Sequence, residues 1–93
     1  MTLLLIGCGN LGKIVLEGFS NKKKKISILE KNIKIHKDIK KKFANVECFS
    51  HQKNVNWNKV NYIMLCVKPN DSKEAISQIR SYCKKNHVII SFV

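Results

Sequence analysis

The sequence predicts an α/β fold, a doubly wound parallel sheet of about five strands in the order 3-2-1-4-5. Three observations carry this expectation. Short, continuously apolar runs recur along the chain, as expected of strands covered on both faces. Amphipathic segments of helical period separate them, which implies right-handed crossovers between parallel strands. The first run, Leu3-Leu4-Leu5-Ile6, stops on three glycines spaced G-x-G-x-x-G and then turns helical. At 93 residues the chain holds one core, burying about two thirds of its unfolded surface.

The glycine stretch, Gly7-Cys8-Gly9-Asn10-Leu11-Gly12, organises the rest. Gly7 supplies the backbone conformation of a tight turn, Gly9 lets the main chain approach a pyrophosphate, and Gly12 lets the helix pack closely on the strand. The amides of Asn10 to Gly12 then face an anion at the positive end of a helix dipole, worth about half a unit charge. A diphosphate is held there without a cationic side chain. The motif in this context reads as a Rossmann-type dinucleotide site. A glycine-rich hairpin between two strands would leave Leu11, Ile14, Val15 and Leu16 without explanation.

The remaining elements follow in order. A helix from Leu11 to about Ser20 is expected to turn Leu11, Ile14, Val15 and Phe19 towards the sheet, and Asn21 and a lysine run end it. Lys25 to Glu30 reads as a second strand closing on an acid. Between Asn32 and Phe43 the apolar Ile33, Ile35, Ile39 and Phe43 recur at helical steps among lysines. Asn45 to Phe49 is a short third strand near a sheet edge. His51 to Lys59 is polar, with Val55 and Trp57 its large apolar groups, and reads as a loop or one short helix. Val60 to Val67 is a fourth strand, broken by Lys68-Pro69-Asn70-Asp71-Ser72. From Ser72 to about Lys85 a helix should bury Ala75, Ile76, Ile79 and Tyr82 or Cys83 and point Glu74, Gln78 and Arg80 outward. His87 to Val93 closes the sheet as a fifth strand.

Composition narrows the function. Lys and Arg number 18 against 6 Asp and Glu, a net charge of +12 carried almost wholly by lysine. Such an excess can mark a nucleic-acid surface. Here the lysines are spread through a loop and along a helix, aromatics for base stacking are few, and Arg80 is the one arginine. No specific nucleic-acid partner is expected, although non-specific polyanion binding at low salt is. Cys8, Cys48, Cys66 and Cys83 form no C-x-x-C pair and have no His at zinc spacing, so no metal is expected. That usage predicts a reduced, cytoplasmic location. An apolar opening run of four residues is far below the ~20 needed to span a bilayer, so no membrane role is expected. His36, His51 and His87 lie far apart and read as solvated rather than catalytic.

With these residues in view, the chain resembles the N-terminal dinucleotide-binding domain of pyrroline-5-carboxylate reductase, the enzyme that makes proline. Three matches carry the resemblance. Ile6-Gly7-Cys8-Gly9-Asn10-Leu11-Gly12 is close to the family's I-G-x-G-N-M-G, Leu65-Cys66-Val67-Lys68-Pro69 is like its L-A-V-K-P, and Val88-Ile89-Ile90-Ser91 is like the strand before its A-G segment. The resemblance covers essentially all of residues 1–93. It implies an NAD(P)H cofactor, with Gly7, Cys8, Gly9, Asn10, Leu11 and Gly12 around the pyrophosphate and Cys66, Val67, Lys68 and Pro69 along the ribose and nicotinamide side. Asn54 aligns loosely with a cofactor-contacting asparagine of the family.

Physical reasoning supports the second group, because proline ends a strand's ladder and holds Lys68 extended over the ligand crevice. The alternative is an ordinary strand-to-helix turn. Glu30 lies 18 residues past Gly12, about where an acid accepts from the adenosine ribose of NAD, while Lys31 and Asn32 beside it would suit a 2′-phosphate. Cofactor choice therefore leans to NAD(H) only slightly. Glu30 reads equally as an acid stabilised by the dipole of the following helix.

The resemblance further implies a homo-oligomer, and a small imino-acid substrate held largely by a helical C-terminal half beyond this domain. The expectation is an excised or truncated domain that binds cofactor and catalyses nothing alone, with no catalytic residue assigned. The 6-phosphogluconate and hydroxyisobutyrate dehydrogenases share the first motif and stay open as alternatives. A non-catalytic nucleotide-sensing module is another.

Overall fold

The computed structural model describes residues 2–7, 9–19 and 25–91. Five parallel strands form one sheet in the order β3-β2-β1-β4-β5: β1 Thr2–Ile6, β2 Lys25–Leu29, β3 Glu47–Phe49, β4 Tyr62–Leu65 and β5 Val88–Ser91. Helices α1 (Asn10–Phe19), α2 (Ile33–Lys42) and α3 (Ser72–Ile79) connect them, and short 3₁₀ turns fill Gln52–Asn54, Trp57–Lys59, Pro69–Asp71 and Arg80–Tyr82. The predicted order holds.

Strand alternation divides the apolar runs between two cores. Leu3 and Leu5 of β1, Ile26 and Ile28 of β2, and Met64 with Cys66 at the end of β4 pack with Leu16 and Ile39 on one face. Leu4, Ile6, Leu29, Ile63 and Leu65 pack on the other with Val55, Trp57, Ala75 and Ile79. Successive side chains of a strand point to opposite faces, so a sheet sandwiched on both sides needs both kinds of position apolar. Side-chain and backbone bonds tie off the lower rim, where Thr2 N–H donates to Asn61 Oδ1 at 2.9 Å and Val88 N–H to Asn61 O at 3.1 Å. At the β3 edge, Lys25 Nζ lies 2.8 Å from Glu47 Oε1 and holds that carboxyl below the usual range.

Helix orientation departs from the expected faces in three places. In α1, Leu16 is fully buried while Ile14 is 65% exposed. Gly12 is buried in the first turn, and a residue two positions on lies about 200° round the helix, so packing at Gly12 carries Ile14 to the solvent side and Leu16 inward. In α2, Ile39 is buried and Ile35 and Phe43 pack beside it, but Ile33 at the first position is exposed. In α3, Ala75 and Ile79 are buried whereas Ile76 is exposed.

The third helix also stops at Ile79 rather than near Lys85, with one 3₁₀ turn after it. His87 explains this early end. Its Nδ1 accepts from Lys84 N–H at 3.0 Å and its Nε2 lies 3.0 Å from Trp57 O, which turns the chain back towards β5. The segment read as a loop or one short helix contains two 3₁₀ turns, anchored by buried Val55 and Trp57. Trp57 stacks on Tyr82 with ring centroids 5.3 Å apart.

Candidate functional site

Strands β1 and β4 lie side by side, yet the chain reaches β2 and β3 on one side before returning to β4 on the other. The connections leaving their carboxyl ends therefore diverge at the topological switch point, where open α/β sheets bind ligand. A cleft of about 430 Å³ opens there. Gly7, Gly9, Glu30, Lys31, Cys66, Val67 and Lys68 all line it, so seven of the thirteen candidate residues, from three separate segments, meet in one place.

Gly7 makes the turn out of β1. Its φ is +82°, in the region that favours glycine, and a Cβ would sit 2.8 Å from Val67 Cγ1 and 3.3 Å from Cys66 O. The first glycine is thus required twice, by its own backbone and by the β4 loop packed against it. Gly9 is different. A Cβ there would meet nothing within 4 Å, and its φ is not positive. Gly18, on the exposed face of α1, is equally unhindered, so Gly9's place on the cleft wall is what gives its bareness meaning.

Lys13 N–H donates to Gly9 O at 3.1 Å, the first bond of α1. The amides of Asn10, Leu11 and Gly12 precede it and have no acceptor within the helix. A bare Gly9 leading into these donors suits the linked phosphates of a dinucleotide. Cys8 lies outside the described residues, and Pro69 opens the 3₁₀ turn that leads into α3.

On the far wall, burial pushes the Cys66 thiol up to about 11, which keeps it protonated at neutral pH and makes it a wall atom rather than a nucleophile. Lys68 is exposed at the rim, and its carbonyl accepts from Asp71 N–H at 2.9 Å. Glu30 follows β2 and reaches the cleft mouth. Its N–H donates to Phe49 O at 2.8 Å, and its Oε2 accepts from Asn32 N–H at 3.0 Å. Asn32 Oδ1 in turn accepts from Lys34 N–H at 3.0 Å and caps α2.

Asn54 is exposed and is not among the cleft-lining residues. Its 3₁₀ turn offers Gln52 instead, and Ser50 lies beside it. Asp71, Glu74 and Gln78 also line the cleft, although Glu74 and Gln78 were expected to face outward. Their spacing of three and four residues, next to the buried Ala75 and Ile79, is the signal that identifies this wall. Gln78 Nε2 donates to Glu74 Oε1 at 3.3 Å along it. The three histidines have local partners: His36 on Glu30 O, His51 on Lys53 N–H, and His87 as described above. No cluster of three or more metal-ligating side chains occurs among the described residues.

Residues 2–93 match the family model described as NADP oxidoreductase, coenzyme F420-dependent. The chain belongs to this family. It is the family of the N-terminal domain of pyrroline-5-carboxylate reductase, which the three sequence motifs resemble. An NADP oxidoreductase domain of this kind binds a nicotinamide dinucleotide, and the glycine turn at the switch point has the form such binding requires.

A relative in the same range is ComE operon protein 4 of Bacillus subtilis (strain 168), 30% identical over 96 residues that cover 98% of this chain and 34% of that protein. The chain thus spans about a third of the length of that curated relative. Among solved structures, a protein described as a 2-dehydropantoate 2-reductase from Enterococcus faecalis superposes with a TM-score of 0.77 at 13% identity, over 100% of this chain and 34% of that one. RSP, a Rex-family repressor, gives 0.69 at 15% identity over 97% of this chain and 51% of its own. Both likenesses are of fold. No helix among the described residues of this NADP oxidoreductase domain is long and apolar enough to cross a membrane.

Proposed function

We propose that residues 1–93 form the cofactor-binding half of an NAD(P)H-dependent reductase of the pyrroline-5-carboxylate reductase type, acting on a small cyclic imino acid. The observation that carries this reading is the Val67-Lys68 segment, ahead of Pro69, lining the cleft beside the glycine turn, with Val67 packed against Gly7. When bound, the dihydronicotinamide would supply a hydride to the imine carbon, a proton would complete the amine, and oxidised nicotinamide would remain.

The chain's own residues have positioning roles. The amides of Asn10 to Gly12 and the bare Gly9 hold the pyrophosphate, Glu30 and Lys31 meet the adenosine ribose, and Cys66, Val67 and Lys68 form the wall along the nicotinamide side. Burial keeps the Cys66 thiol neutral, so that position adds no negative charge to the cleft. In this reading a helical half outside these residues completes the imino-acid pocket and the oligomer.

Titrating the chain with NADH and NADPH, then assaying proline formation from 1-pyrroline-5-carboxylate, tests the proposal. The expected result is saturable nucleotide binding without turnover by residues 1–93, and turnover by the protein that includes the helical half. A protein with that half that binds nucleotide and fails to reduce the cyclic imine would overturn the substrate assignment. Absence of nucleotide binding would overturn the site.

A further inference from the structure

Glu30 is held from three directions. Its N–H is fixed on Phe49 O in β3, its carboxylate takes the Asn32 amide at the start of α2, and its carbonyl lies 2.5 Å from His36 Nε2, one turn into α2. The carbonyl can only accept, so Nε2 carries the hydrogen and His36 donates. Helical side chains lean towards the helix N-terminus, which is how an imidazole at position 36 reaches back over the end of β2. His36 is half-buried and does not line the cleft, so it acts on a ligand through Glu30.

We propose that His36 is a positioning residue for dinucleotide selectivity, holding the Glu30 backbone so that its carboxylate meets the unphosphorylated adenosine ribose. The inference rests on the reading above that Glu30 meets that ribose. A carboxylate fixed on a diol gains hydrogen bonds, whereas a carboxylate fixed near a 2′-phosphate repels it. Releasing the Glu30 carbonyl removes one of these three tethers, so the acid, still on the Asn32 amide, shifts with the loosened backbone away from the ribose. The diol then loses its acceptor, while the phosphate is relieved of a like charge and keeps the Lys31 and Lys34 ammonium groups within the same turn.

Calorimetric titration of the full chain with NADH and with NADPH tests this. His36→Ala is expected to weaken NADH binding about five- to tenfold, the worth of one positioned hydrogen bond, and to leave NADPH binding unchanged or tighter. His36→Gln, whose side-chain amide can also donate, should restore most of the NADH affinity, which a merely structural role would not predict. If His36→Ala does not fold, His36→Phe keeps the ring volume without the donor and carries the same expectation.

Equal losses for the two nucleotides, or no rescue by Gln, would overturn the proposal. Glu30→Gln separates it from the reading beneath it. A shift in the NADH to NADPH ratio for Glu30→Gln but not for His36→Ala would sink the positioning role and leave the ribose contact standing. No shift in either would remove the ribose contact itself.

Discussion

Gly7 and Gly9 are two residues apart in the motif, and they are constrained by different things. Gly7→Ala places a Cβ against Val67 at a positive φ, so it should destabilise the fold by about 1–3 kcal/mol, read as a lower urea midpoint. The Cβ of Gly9→Val has open space, with no non-neighbouring protein atom within 4 Å. It should fold normally and lose nucleotide affinity by at least about tenfold, since the side chain occupies space the pyrophosphate needs.

Cys66 gives a pH signature of its own. Its folded pKa is raised to about 11 by burial, above the unfolded value, so the unfolded chain releases the proton first. The stability it contributes is complete below about pH 9 and is lost as pH rises through about 11, a fall of roughly 2–3 kcal/mol. Denaturation of the wild type and Cys66→Ala across that range should show the difference between them shrinking as pH rises. The motif put Gly7 in a tight turn, which its positive φ bears out, but did not reveal its neighbour. The reason for Gly7 lies in Val67, sixty residues on, and only the tertiary pairing of β1 with β4 brings the two together.

The strands were legible from the sequence because a sheet covered on both faces leaves an apolar run, unbroken in β1 and β4 and interrupted only by the buried Ser27 in β2. Helix faces were harder to read. In α1 the apolar residues Ile14, Val15 and Leu16 are consecutive, so spacing alone admits more than one buried face, and the close approach at Gly12 decides between them. Leu16→Ala should cost about 2–5 kcal/mol by emptying a filled core position, whereas Ile14→Ala should stay within about 0.5 kcal/mol, both measured by chemical denaturation. The polar wall of α3 was missed for a related reason. Asp71, Glu74 and Gln78 resemble any solvated stripe until the cleft beside them is known. Residue 54 was equally hard to place, since within the 3₁₀ turn Gln52–Asn54 it is Gln52 that borders the cleft.

For the molecule as a whole, charge and site are separate properties. Every described lysine is exposed, and they are scattered over several elements, which gives a diffuse positive surface. Binding to heparin or duplex DNA should therefore weaken by at least about tenfold between about 50 and about 200 mM salt. Nucleotide binding in the cleft, which relies on main-chain amides and shape, should change far less over the same range. Fold class and strand order were readable because the alternation of elements and the position of the glycine turn leave few topologies. The substrate was not readable from residue patterns, because no catalytic set of side chains stands out along the chain.

The one tryptophan of the sequence is buried against Tyr82, and its indole N–H donates to Gln52 O at 2.8 Å, within a residue that borders the cleft. Nature has thereby fitted the protein with a lamp beside its own keyhole. Indole light falls in the band that reduced nicotinamide absorbs, so an arriving coenzyme should dim that lamp and glow in its place, and its oxidised form should not. The colour of the solution would then report, without any label, which redox form has docked.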